Sequence, residues 1–340
     1  MKKIYSEIKE KLNMISFQNI FNGFKRYPFA LYDDKQVLLE DKIIPYDDRF
    51  IGNTSIKYNN KYIAIWNMKY PVKDLDQFTS KIVHEMFHAY QGDKHEHRFP
   101  NEVSGLFYNL SKDNIGKKLE ETKYLINSYL TKDKLDLEKF LTLRGKRRKL
   151  YSKSVNYEAG IETIEGYARF IELKTLKFFS LEKYNDEFNK LLDYLKTDYN
   201  FYKPRNVSYE IGALILTVLE SLGYDISSNF PRNETIDLYV LPNSEVSVEY
   251  KNNYNLSWLD DLLSKSNERL DNLLVKNLEE IAFDRVIGFD PMNTKKVKDH
   301  LIYNHFILIE KNNKNISMMG CFLMKLNEKN EFTKLYKVVE

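Results

Sequence analysis

At 340 residues the chain is long enough for two or three domains around at least one substantial core, and a hydrophobic fraction of 43% excludes a disordered or fibrous class. Its 52 basic and 49 acidic residues leave a formal net charge of +3, so charge balance argues neither for nor against an anionic partner. A single cysteine, Cys321, excludes an intramolecular disulfide. The opening MKKIYSEIKEKLNMISF lacks the apolar core of a secretory signal, and no apolar run reaches the length of a membrane span. The expectation is therefore a cytoplasmic protein with no membrane partner.

In chain order, Ile4, Ile8, Leu12, Ile15 and Phe24 recur at helical spacings and predict an amphipathic helix over 4–24. Strands follow at 29–32 and 36–39, and 54–58 with 61–67 read as a hairpin turning at Asn59-Asn60. Pro71 breaks the pattern before a helix that Asp74 and Gln77 can open as a capping box and Gly92 can end. From 74 to 223 the pattern is helical almost throughout, with apolar periodicity over 119–130, 135–143, 156–179 and 181–195. A lysine-rich connection at 111–118 and Pro204 interrupt it. Arg144, Lys146, Arg147, Arg148 and Lys149 form a basic run that reads as a solvated helix face; no aromatic or helix-turn-helix module accompanies it, which argues against a nucleic-acid partner. Beyond Gly223 the residues Ser227, Ser228, Pro231 and Pro242 break the regular pattern. A further helix is predicted over 259–281, and strands at 305–310, 316–325 and 332–339 would form an antiparallel meander. The whole predicts an α+β chain in three parts: an N-terminal helix and small antiparallel sheet (1–73), a helical domain (74–225), and a C-terminal helix with strands (226–340).

The chemistry concentrates in His84-Glu85-Met86-Phe87-His88. Two histidines four residues apart lie one turn apart on a helix and can hold a zinc ion from the same face, with Glu85 placed as general base beside the position that a catalytic zinc keeps for water. Phe78, Ile82, Val83, Met86, Phe87, Ala89 and Tyr90 wrap most of this helix in apolar surface. Burying His84, Glu85 and His88 among them is costly without partners, and a metal with its water would supply them. The alternative is a pair of core histidines bonded to backbone, with Glu85 in an ion pair.

Two histidines need a third ligand. In Glu158-Ala-Gly-Ile-Glu162-Thr-Ile-Glu165-Gly166-Tyr167-Ala168-Arg169-Phe170-Ile171-Glu172 the charged residues recur every three or four positions on one face, beside a buried stripe of Ile161, Ile164, Ala168 and Ile171. Such a row is usually a solvated, ion-paired surface. Gly166 inside the helix speaks for close approach by another backbone instead. His95 is a second source: Gly92 and His95 nearly reproduce the HExxHxxGxxH arrangement of metzincins, but each falls one place late, about 100 degrees of helical rotation. His84-Glu85-Met86-Phe87-His88 followed by Glu165-Gly166-Tyr167-Ala168-Arg169-Phe170 resembles the gluzincin metallopeptidases, whose zinc is held by the two histidines of HExxH and a glutamate on a downstream helix. The resemblance implies His84, His88 and Glu165 as ligands of Zn2+ and Glu85 as the base, with Glu162 as the local alternative to Glu165 and with Glu158 and Glu172 as supporting or surface charges. It also implies Tyr209, in Ser208-Tyr209-Glu210-Ile211-Gly212, as donor to the oxyanion. The function expected is a zinc-dependent hydrolase acting on a peptide or protein substrate, bound along an edge strand of the 54–67 hairpin. The competing class is a non-catalytic, zinc-stabilised or helical partner-binding protein.

Overall fold

The structure is a computed structural model and describes residues 1–239, 246–250 and 254–339; Pro242 lies outside them. The chain is α+β. By its internal contacts it forms two compact units, Met1–Pro100 with Lys118–Lys146 and Glu158–Tyr250, and Asn101–Lys117 with Arg147–Tyr157 and Lys251–Glu340. Residues 1–73 and most of 74–225 share the first unit with residues up to 250, and the second is gathered from three stretches. No helix among the described residues is long and apolar enough to cross a membrane.

The first unit opens with α1 (Lys2–Asn13), which buries Tyr5, Ile8 and Leu12 on one face, and a single turn, α2 (Phe17–Ile20). The opening helix is therefore shorter than the predicted 4–24. Ser16 adopts an extended backbone and Gly23 a left-handed one (φ 78°), so Ile15 and Phe24 are buried from turns while keeping helix-like spacing in sequence. Five strands follow: β1 (Phe29–Tyr32), β2 (Gln36–Leu39), β3 (Lys42–Pro45), β4 (Thr54–Tyr58) and β5 (Lys61–Asn67). Their order is β3-β2-β1-β5-β4, antiparallel except for the β1/β5 pair, and β4 forms one edge. The hairpin turn is where its residues place it: Asn59 and Asn60 have φ of 47° and 62°, the left-handed pair that a two-residue hairpin of the favoured hand requires.

Helix α3 (Leu75–Asp93) packs on β5 and β4. Asp74 caps it by accepting from the Gln77 backbone N–H at 2.9 Å. Gly92 does not end it. The helix runs one residue further and the left-handed conformation falls on His95 (φ 57°), whereas a Cβ at Gly92 would stand 2.6 Å from the Tyr62 ring. Gly92 is there so that the helix can lie against β5. The remaining helices are α4 (Glu102–Leu106), α5 (Lys112–Thr131), α6 (Lys134–Leu150), α7 (Ser152–Phe179), α8 (Leu181–Lys196) and α9 (Pro204–Ser221). Residues 112–118, expected as a loop, are thus helical.

Helix α7 is fixed in place from two sides. Tyr167 stacks on Phe87 of α3 with ring centres 6.0 Å apart and donates its hydroxyl to the Ile226 carbonyl at 2.8 Å. Each such buried ring contributes roughly 1.5–3 kcal/mol over leaving it in water. On its other side α7 meets α9 backbone to backbone: a Cβ on Gly166 would lie 2.6 Å from Gly212 Cα, and one on Gly212 would lie 2.3 Å from the Glu162 carbonyl oxygen.

The second unit carries α10 (Ser257–Leu274) and strands β6 (Asn277–Ile281), β7 (Arg285–Phe289), β8 (Thr294–Val297), β9 (His300–Tyr303), β10 (Phe306–Lys311), β11 (Lys314–Met319), β12 (Phe322–Leu326) and β13 (Phe332–Val339). They form two antiparallel sheets, β11-β10-β7 and β6-β13-β12-β9-β8. The helix predicted over 259–281 stops at Leu274 because 277–281 pairs with β13, Leu335 opposite Ile281 and Val339 opposite Asn277. The run 316–325 is split at Gly320, whose φ of 132° turns the chain from one sheet to the other. Leu301, Tyr303, Ile307, Phe322, Met324 and Leu335 form the core there, with Leu106 of α4.

Candidate metal centre

On α3 the imidazoles of His84 and His88 meet edge to face, with their Nε2 atoms 3.2 Å apart. Their other nitrogens are engaged. His84 Nδ1 lies 3.0 Å from Glu172 Oε2, and His88 Nδ1 lies 2.7 Å from Gln91 Oε1, whose amide donates to the Ile164 carbonyl at 2.9 Å. A carboxylate and an amide oxygen can only accept, so in the neutral rings both protons sit on Nδ1. Both Nε2 lone pairs are left pointing at one small volume. Into that volume α7 sends Glu165, whose Oε2 stands 3.1 Å from His88 Nε2 and 3.8 Å from His84 Nε2.

Three lone-pair-bearing atoms this close repel one another unless a cation or protons lie between them. Tetrahedral ligands at metal distances of about 2.0–2.2 Å stand about 3.3–3.6 Å from each other, a range that the separations of 3.1, 3.2 and 3.8 Å found here bracket within a few tenths of an ångström. Donor atoms of His84, Glu85 and His88 all fall within 4.8 Å of one another. His84 and Glu85 are buried, at 9% and 7% exposure. The donor set could hold a metal ion.

Protonation in the metal-free protein follows from the same crowding. Burial alone would lower the His84 pKa, but the Glu165 and Glu172 carboxylates outweigh it and push it up to about 10. The His88 pKa is also raised, burial being outweighed by Glu165. Glu165 is held well below the usual carboxylate range because the two histidines overcome its desolvation. Glu172 is lowered to about 2, Arg169 and His84 outweighing burial. Glu85 goes the other way: desolvation raises its pKa despite both histidines, as suits a group that takes up a proton. Tyr209 is also raised, first by burial and then by Glu165, so it remains a phenol able to donate.

The charged row of α7 is not a solvated surface. Glu165 and Glu172 turn to the histidines of α3, and Arg169 braces Glu172 at 2.6 Å while reaching Glu187 at 2.8 Å and Glu210 at 3.3 Å. Glu162, the alternative ligand, lies outside the cluster; it receives Arg144 at 2.7 Å and 3.0 Å, and Arg144 also binds Glu121 at 2.7 Å. Glu158 faces Lys118 at 3.2 Å, both side chains fully buried. The basic run is only partly a solvated face: Arg144 and Arg147 are 1% and 0% exposed, while Lys146 and Lys149 are exposed. His95 and His97 are exposed beyond the end of α3 and take no part.

Gln91 and Arg205 join the site without having been singled out by the sequence pattern. Gln91 has a local signal, lying three residues after His88 and hence on its face of the helix. Arg205 has none: its Nη2 reaches Glu165 Oε1 at 3.2 Å across 40 residues of sequence. Comparison with known proteins returns no match: no family model, no curated protein and no solved structure is similar to this chain.

Proposed function

We propose that this chain is a zinc metallopeptidase of the gluzincin type. The observation that carries the reading is the convergence of His84 Nε2, His88 Nε2 and Glu165 Oε2 from two helices, with both Nδ1 atoms already held by Glu172 and Gln91. Zinc bound there would lower the pKa of its water toward about 7 and polarise the substrate carbonyl. Glu85, one residue from His84 on the helix and with a raised pKa, accepts the proton and later passes it to the leaving amine. Tyr209, held next to Glu165, donates to the oxygen that gains negative charge. Glu172 and Gln91 keep the imidazole rings in the tautomer that offers Nε2. Edge strand β4 packs beside α3, and an extended peptide can add along its outer side as a further strand.

Metal analysis tests the reading. The wild-type chain is expected to hold one zinc and the His84→Ala, His88→Ala double variant none; equal, near-zero zinc in both would remove the proposal. A pH signature accompanies it. Metal-free His84, with its pKa near 10, is protonated at pH 7, so zinc uptake at that pH must expel protons and apparent affinity must rise as the pH approaches 10. For the metal-free fold the sign is opposite. The stabilisation from protonated His84 is complete below about pH 6.5 and is lost as pH rises through 10. Calorimetric zinc titrations in buffers of different ionisation enthalpy read the proton release directly, and a heat independent of buffer would contradict it.

A further inference from the structure

Glu165 is held through both of its oxygens, by partners of different kinds. Oε2 faces the two Nε2 atoms, while Oε1 accepts from Arg205 Nη2 at 3.2 Å. The side chains of Glu165 and Arg205 are only 14% and 15% exposed, so solvent screens the pair weakly. Arg205 stands in the first turn of α9, directly after Pro204. Its guanidinium lies 5.8 Å from the ring centre of Tyr209, one turn further along. The Gly166–Gly212 crossing sets where α9 runs against α7, and therefore where Arg205 meets Glu165.

A carboxylate can offer a cation one oxygen or two. Were both Glu165 oxygens to turn toward the ion, the second would come in as a fifth ligand and crowd the water beside Glu85. An oxygen already bonded to a guanidinium is not free to do so, and the charge-assisted bond is stronger than a neutral one. We propose that Arg205 is a positioning residue that holds Oε1 of Glu165 away from the metal, so that Glu165 binds through Oε2 alone and one coordination position stays open. The inference rests on the proposed zinc site and adds to it how that site is kept open.

Cobalt(II), which replaces zinc and absorbs visible light several-fold more strongly with four ligands than with five, is the probe. In wild-type protein reconstituted with cobalt alone, the strong four-coordinate spectrum is expected. Arg205→Gln and Arg205→Met should lower the visible absorption several-fold with metal still bound, and Arg205→Lys, which keeps a cationic donor, should recover part of it. X-ray absorption on the unmodified zinc protein gives a reading that needs no variant: four light-atom ligands are expected, and five with a two-oxygen carboxylate would overturn the proposal. An unchanged cobalt spectrum in a folded Arg205→Gln or Arg205→Met protein would also overturn it while leaving the zinc reading intact. Failure of the wild type to take up either metal would overturn both.

Discussion

Glu85→Gln is expected to keep one zinc per chain and to lower peptide hydrolysis by about 10²–10⁴-fold. Glutamine has nearly the shape of glutamate, so the buried pocket around position 85, 7% exposed, stays filled. It does not accept and release a proton as a carboxylate does. The metal should remain because the three converging donors are His84, His88 and Glu165, not Glu85. Stability should not fall. Burial raises the Glu85 pKa, which means an ionised carboxylate there destabilises the folded state at neutral pH, and the amide removes that cost. Three readouts separate the possibilities: zinc content, melting temperature of the metal-free chain, and cleavage of a peptide library. Full activity in the variant would place the base elsewhere, and loss of zinc would make Glu85 a ligand.

What the sequence displayed depended on how local each cause was. The hairpin at Asn59-Asn60 and the cap at Asp74 are settled within a few residues, by left-handed backbone and by one side chain bonded to a nearby N–H, and both are visible as residue types. The pairing of His84 with His88 is likewise a matter of helical pitch. The charged row of α7 is visible as a face, but periodicity does not say what lies against a face. Its two ends meet different neighbours, the histidines of α3 at Glu165 and Glu172, and Lys118 and Arg144 at Glu158 and Glu162. That is also why Arg144 and Arg147 read as part of a solvated run in sequence and are buried in the fold, while Lys146 and Lys149 of the same run remain exposed. The boundary between α10 and β6 was hidden for a related reason: residues 277–281 become a strand through pairing with β13, more than fifty residues later. Arg205 acquires its meaning only from Glu165, and so from the approach of α9 to α7.

That approach makes Gly212→Ala the substitution expected to damage the fold most. In an ordinary helix interior the change would gain up to about 1 kcal/mol through reduced backbone freedom. At position 212 the added Cβ would stand 2.3 Å from the Glu162 carbonyl oxygen and 2.8 Å from the Cα atoms of Glu162 and Gly166. These are main-chain atoms of a long helix, so relief requires α7 and α9 to move apart rather than a side chain to swing away. Overpacking of this kind costs about 1–3 kcal/mol, occasionally more, and with backbone on both sides the upper end applies. The clash therefore outweighs the propensity gain, leaving a net loss of about 2 kcal/mol. Gly145→Ala supplies the control: it also lies inside a helix, nothing stands within 4 Å of its would-be Cβ, and the same substitution should stabilise by up to about 1 kcal/mol. Denaturant midpoints of the two metal-free variants should thus move in opposite directions. Because α9 carries Arg205 and Tyr209 while α7 carries Glu165, Gly212→Ala should also weaken zinc binding by about 10-fold or more, the scale of losing a ligand's supporting contacts. A Gly212→Ala protein as stable as wild type would show that the helices do not touch there, and normal stability loss with unchanged zinc affinity would show that the crossing does not position the site.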